Sequence, residues 1–406
     1  MSSSNRAASA AVSFRRSGGH PHTSTSHSCP VVSVLPPLTS PTFYHEPPAC
    51  VCWRTDGPGP GTLRARMSRK DLVSPTPPPP PLEGVRTPRN APRQPAPGAV
   101  ARLLRSLREL PEAVREPGPG SRGLAGWFKA ETPPPTDITA RFREVHHRVR
   151  EGEPVLPDEA RRHLYLMVKG MLGDEVPGYL EDNQARLEKR GLETREVAVD
   201  TEGRLADNVE VVREALLDAI HFRRSVVLVG HSKGGVEALS TLALHPELRR
   251  HVRAVVTLQS PFGGSVIAND LVTTPSLRRL LDVTFPSLFQ GDAGSVEDLS
   301  YARRMEFVRQ HPHPMDIPTV SLATSRLSRR SLMRPLCAYV HERYGWACDG
   351  LVNTVDAEVP GSRVVRLDDM DHAEAALTGL PGFSNYYPGD LTETMVALAL
   401  ETRVGP

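Results

Sequence analysis

The chain has 406 residues and 40 prolines, with 49 Lys and Arg against 47 Asp and Glu. That length allows one large domain or two average ones. Five cysteines are too few for a disulfide framework, and no apolar run approaches the ~20 residues that a membrane helix needs. The net charge of +2 gives no reason to expect nucleic acid as a partner.

The charge and the prolines are unevenly spread. Residues 1–135 hold 25 of the 40 prolines and a net charge of about +9, leaving about −7 for the remainder. A disordered Pro/Arg-rich arm over 1–135 joined to a mildly acidic body over 136–406 is the simplest division. Within the arm, Pro77 to Pro81 form a polyproline run, and leucines at helical spacing between 101 and 116 predict a short helix interrupted by Pro111. Cys50 and Cys52 have the wrong spacing and no histidine partners for a metal site. No signal peptide is evident, which favours the cytoplasm over secretion; Met67 offers an alternative start. A chain beginning near Thr136 is expected to fold and keep its activity.

Asp137 reads as the N-cap of a helix over 142–149. Beyond Arg161, apolar strands alternate with helical patterns, the signature of a parallel α/β sheet. Strands are predicted over 163–168, 195–199, 226–229, 254–258, 319–323 and 363–367. Helices are predicted over 176–189, 205–220, 236–244 and 392–400. Apolar helical stretches at 271–288 and 296–309 lie in an insertion spanning 265–316. Loops that follow parallel strands gather at one sheet edge, where ligands bind.

The run Val226-Val227-Leu228-Val229 ends in Gly230-His231-Ser232-Lys233-Gly234, and a helical pattern follows. Strand, sharp turn and helix form the context of a nucleophile elbow, with Ser232 at the turn in a strained conformation. The flanking glycines fit because a Cβ at those positions would meet the neighbouring strand or helix. A nucleophilic serine needs a base, and that base needs a carboxylate. His372 and Asp349 follow in the chain order expected of such hydrolases, and both fall at the loop edge that carries Ser232. Asp368, Asp369 and Asp371 compete as the acid, although their closeness to His372 suits them better to shaping its loop. His231 is the rival base, but its place in the turn points it away from the Ser232 hydroxyl. His311 and His313 flank Pro312 in a loop and are expected to be solvated. A tetrahedral intermediate needs two backbone N–H donors. Lys233, next after the serine, and Met171, in the strand exit Lys169-Gly170-Met171-Leu172-Gly173, are the candidates.

These motifs carry a resemblance. Gly170-Met171-Leu172-Gly173, Gly230-His231-Ser232-Lys233-Gly234-Gly235, Ser260-Pro261-Phe262-Gly263-Gly264-Ser265, Asp349-Gly350-Leu351-Val352 and Met370-Asp371-His372 resemble the successive motifs of bacterial triacylglycerol lipases of the α/β-hydrolase superfamily. The resemblance covers residues 161–403 and excludes the arm. It implies a mostly parallel sheet flanked by helices, with a helical lid or cap at 265–316. It also implies Ser232 as nucleophile, Asp349 as acid, His372 as base, and Met171 and Lys233 as oxyanion donors. Two departures stand out. The family usually has His-Gly before the oxyanion residue, where this chain has Lys169-Gly170. Some members bind a structural calcium near the histidine loop. Glu374 could match one ligand, but residues 325–330 are basic, so no metal is predicted.

The sequence reads as a serine hydrolase that cleaves carboxylic esters through an acyl-enzyme and needs no cofactor. Its partner is a small-molecule or lipid ester, with transient contact to a lipid surface through the lid. Thioesters and polyesters are served by the same machinery. The rival is a non-catalytic module of the same fold that binds a lipid or partner.

Overall fold

The computed structural model describes residues 121–275, 277–278, 293–328, 331, 333–379 and 385–401. The arm before residue 121 and much of the 271–288 stretch lie outside the described residues, as does the helix expected over 101–116.

Among the described residues, seven strands form one parallel sheet: β1 (Thr136–Asp137), β2 (His163–Val168), β3 (Glu193–Glu196), β4 (Ser225–His231), β5 (Val252–Leu258), β6 (Thr319–Thr324) and β7 (Arg363–Leu367). Their order is β1-β7-β6-β5-β4-β2-β3, with every neighbouring pair parallel. The helices are α1 (Thr139–Arg150), α2 (Glu181–Lys189), α3 (Leu205–His221), α4 (Lys233–Leu244), α5 (Val266–Thr273), α6 (Ala293–Glu297), α7 (Tyr301–Gln310), α8 (Arg334–Tyr344) and α9 (Pro388–Glu401).

Successive side chains of a strand point to opposite faces. Tyr165, Met167, Val227 and Val229 accordingly join the core under α1, α2 and α9. Leu164, Leu166, Val226 and Leu228 join the core under α3 and α4. Burial on both faces is why β2 and β4 read as unbroken apolar runs. Each large apolar side chain so buried contributes about 1.5–3 kcal/mol.

The structure moves several expected boundaries. The helix expected over 176–189 starts only at Glu181. Pro177 lacks an N–H, and the chain turns through left-handed Gly178 and Leu180 before the helix begins. The strand expected over 195–199 is paired over Glu193–Glu196 instead. The Val197 N–H makes the last bond to β2, to the Met167 carbonyl at 2.9 Å, and Val199 beyond it is buried against the α3 side without a place in the ladder. The N-cap position of α1 is Ile138, while Asp137 accepts the Thr139 N–H at 2.8 Å.

The arm boundary at 135 is too late. Phe128 is buried and packs edge-on against Phe262 at 5.2 Å, and the Trp127 indole donates to the Gly263 carbonyl at 2.7 Å. Ser121 is buried and donates to Asp270 of α5 at 2.8 Å. A chain beginning at Thr136 would lose these contacts. Cys337 and Cys348 are buried free thiols. Among the described residues, no helix is long and apolar enough to cross a membrane.

Candidate active site

The carboxyl ends of β2, β4, β5, β6 and β7 meet at one edge of the sheet, and the chemistry gathers there. After β4 the chain reverses at Ser232, whose φ of 54° and ψ of −127° are rare for a residue with a Cβ. Such a conformation costs on the order of 1–3 kcal/mol and persists only where its surroundings enforce it. The Ser232 N–H donates to the Leu258 carbonyl of β5 at 2.9 Å. Gly230 and Gly234 pack so closely that a Cβ on either would collide with the backbone of α4 or of β2. The hydroxyl therefore sits at the turn between β4 and α4, with the residue 8% exposed.

His372 lies just beyond β7, and Asp349 lies between α8 and β7. Ser232 Oγ and His372 Nε2 are 2.8 Å apart, and His372 Nδ1 and Asp349 Oδ2 are 2.9 Å apart. Both His372 and Asp349 are buried. A carboxylate only accepts, so Nδ1 carries the proton and Nε2 is left to accept from the serine hydroxyl. The Asp349 carboxylate is itself fixed. Its Oδ1 accepts the Leu351 and Val352 N–H groups at 3.0 and 2.8 Å, and its Oδ2 accepts the Thr324 hydroxyl at 3.4 Å. The His372 N–H returns a bond to the Asp349 carbonyl at 2.9 Å. Three residues distant in sequence thus form one hydrogen-bonded chain.

The competing residues take other positions. Asp371 accepts from Ser331 and from the Ala373 N–H, which shapes the His372 loop. Asp369 lies beside Arg326, which also forms a buried ion pair with Glu374. His231 turns away from Ser232. Its Nε2 faces the His372 carbonyl at 3.0 Å and Gln259 Oε1 at 3.2 Å, so Nε2 carries the proton and Nδ1 accepts the Tyr179 hydroxyl at 2.5 Å. Burial pushes the His231 pKa down to about 3, which keeps the ring neutral. His313 is half-buried against Phe262, not solvated, and burial lowers its pKa to about 4.

The strand exit after β2 lies against the serine turn. A Cβ on Gly170 would sit 2.7 Å from Ser232 Cβ and 2.6 Å from the Tyr179 hydroxyl oxygen. Met171 and Leu172 of this exit pack with α5 and α6 in one apolar cluster. Lys233 is the first residue of α4, so its N–H has no intrahelical acceptor. Its side chain is buried and pairs with Glu237 at 2.7 Å. Lys169 of the same strand exit reaches Glu196 at 2.8 Å.

Tyr179, Gln259 and Glu202 were missed from sequence. Gln259 is buried, left-handed (φ 52°), and donates to Thr324 at 2.5 Å and to the Asp371 carbonyl at 2.9 Å. A polar residue directly after an apolar strand, as Gln259 is after β5, was its only signal. Among the described residues, no group of three or more His, Cys, Asp or Glu side chains is placed to hold a metal ion.

Comparisons with known proteins find similarities to this chain. A family model for a PGAP1-like alpha/beta domain matches residues 197–303, which include β4, Ser232 and β5. The structure of the metagenomic carboxyl esterase MGS0156 is 22% identical and superimposes over 73% of this chain and 98% of its own, with a TM-score of 0.54. The mature lipase BlEst2 of Bacillus licheniformis is 25% identical over 54% of this chain and 89% of its own, with a TM-score of 0.43. EstA of Clostridium botulinum is 13% identical over 73% of this chain and 97% of its own, with a TM-score of 0.43. No curated protein sequence matches the chain. The parallel seven-stranded sheet with its helices on both faces, together with the likeness to MGS0156, shows that the chain has an α/β-hydrolase fold.

Proposed function

We propose that this protein is a serine hydrolase that cleaves carboxylic esters through an acyl-enzyme. The observation that carries the reading is the His372 imidazole, held between Ser232 Oγ at 2.8 Å and Asp349 Oδ2 at 2.9 Å. Ser232 attacks the ester carbonyl while His372 Nε2 takes its proton. Asp349 fixes the imidazole tautomer and stabilises the imidazolium that forms. The negative charge that develops on the carbonyl oxygen is met by the backbone N–H groups of Lys233 and Met171. The tetrahedral intermediate then collapses, and the leaving alkoxide takes the proton from His372. Water, deprotonated by the same imidazole, attacks the acyl-serine and frees the acid and the enzyme. The sequence of steps needs no cofactor.

The apolar cluster formed by Met171 and Leu172 with Val236, Ala268 and Val296 favours an acyl group with an apolar chain. The test is hydrolysis of p-nitrophenyl esters by the wild type beside Ser232→Ala. Turnover lost in the variant supports the reading, and an inactive folded wild type overturns it.

A further inference from the structure

The two backbone donors assigned above come from different segments, and nothing in the sequence ties one to the other. The structure supplies a tie in residues 200–202, between β3 and α3. From one side, Lys233 Nζ reaches the Asp200 and Thr201 carbonyls, each at 3.4 Å. From the other side, Glu202 Oε1 accepts the Leu172 N–H at 2.9 Å, and Thr201 Oγ1 accepts the Asp174 N–H at 3.4 Å. Leu172 is left-handed, with φ of 63°, and directly follows Met171. A non-glycine residue holds that conformation only where its neighbours fix it.

The loop is anchored beyond these contacts. Asn208 Oδ1 accepts the Asp200 N–H at 3.0 Å, and its Nδ2 donates to the Asp200 carbonyl at 2.7 Å and to Glu237 Oε1 at 2.6 Å. Glu237 pairs with Lys233, which closes the network. Asp298, before α7, accepts from the Leu205 N–H and from Arg204 and so holds the far end of the loop.

We propose that Glu202 is a positioning residue of the oxyanion hole: through the Leu172 N–H it sets the Met171 amide, and through the 200–202 loop it holds that amide in register with the Lys233 amide. This rests on the serine-hydrolase reading and deepens it. Glu202 does not touch the reacting atoms. Its carboxylate is a stronger acceptor than its acid form, so ionisation of Glu202 tightens the strand exit. Burial pushes its pKa up to about 7. The Thr201 hydroxyl and the Leu172 N–H pull it down, while Asp174 and Asp200 push it further up. The other charged groups nearby are already engaged, Lys233 with Glu237 and Lys169 with Glu196 and Asp174.

The experiment compares the full chain with Glu202→Gln and Glu202→Leu on p-nitrophenyl butyrate from pH 5.5 to 8.5, with the rate of fluorophosphonate labelling and thermal unfolding measured in parallel. Removing an oxyanion donor outright costs 10²–10³ in kcat, and a displaced one costs less; Glu202→Leu is expected to lower kcat and the labelling rate by about 10- to 100-fold with KM within about 2-fold. Glu202→Gln keeps an acceptor for Leu172 and is expected to retain most of kcat at pH 8. Its acid limb in log kcat should be shallower than that of the wild type, because one titrating group has gone. An active wild type whose two variants, folded, keep its kcat, labelling rate and pH profile overturns this proposal and leaves the hydrolase reading standing. A wild type inert to both ester and probe overturns the hydrolase reading, and this proposal with it.

Discussion

His231 serves His372, not Ser232. Although it precedes the serine in the chain, its Nε2–H donates to the His372 carbonyl at 3.0 Å, and its Nδ1 accepts from Tyr179. The ring is a buried peg between β4 and the loop that carries the proposed base.

Replacing that peg with His231→Phe leaves the Tyr179 hydroxyl and the His372 carbonyl without their partner. The cost is about 1–3 kcal/mol of stability. A displaced His372 should lower kcat by roughly 10- to 100-fold. The same residue makes stability depend on pH. Its folded pKa of about 3 lies below the usual 6.5, so the unfolded chain binds a proton that the folded chain refuses. The stabilisation is complete above pH 6.5 and is lost as pH falls from there toward 3. At pH 5 the loss from His231 alone is about 2 kcal/mol. Thermal unfolding between pH 5 and 8 checks both points, with a flatter profile expected for the variant.

Asp349→Asn tests the proposed orienting role of this carboxylate. The asparagine oxygen can still accept from Leu351 and Val352, so the loop should persist and the Tm should move little. Its amide would place a donor against His372 Nδ1 and favour the tautomer that cannot accept from Ser232. A fall in kcat of roughly 10³- to 10⁴-fold is expected. Stopped-flow or steady-state ester hydrolysis reads it directly.

Lys233 and Glu237 form a buried pair one turn apart on α4, at 1% and 0% side-chain exposure. Removing one partner strands a charge. Lys233→Met is therefore expected to cost about 3–5 kcal/mol, and adding Glu237→Gln should recover part of the loss. Burial holds the Glu237 pKa above the ordinary carboxylate range, so part of the strain in the single variant is relieved by protonation at low pH. Denaturant unfolding across the double-mutant cycle measures the coupling.

How much of this was legible in the sequence depends on what each residue answers to. The strands β2 and β7 match their expected bounds to the residue: in β2, burial on both faces writes itself as the apolar run Leu164 to Val168, while in β7 the buried Val364, Val365 and Leu367 mark the strand although the partly buried Arg366 interrupts them. Ser232, Asp349 and His372 were named because the turn glycines and the chain order are local signals. β3 was misplaced because an edge strand is paired by its backbone while its side chains, Glu193 to Glu196, face mostly outward. The two-residue β1 pairs with β7 through Thr136 and Asp137, too short a segment to have a period. Residues 121–131 were assigned to the arm because Trp127 and Phe128 sit among glycines and prolines, and their burial against Phe262 depends on a strand end more than 120 positions away. Glu202, Tyr179 and Gln259 escaped for the same reason. Each is an ordinary polar residue until the fold brings it against a loop from another strand.

The most direct test of the account is ester hydrolysis by the wild type and Ser232→Ala, with p-nitrophenyl chains from acetate to palmitate. Turnover in the wild type that vanishes in the folded variant is the predicted result, and its chain-length profile separates a short-ester preference from a lipid one. Equal turnover in both proteins, or none in a folded wild type on any ester, would contradict the assignment of Ser232 as nucleophile of an ester hydrolase.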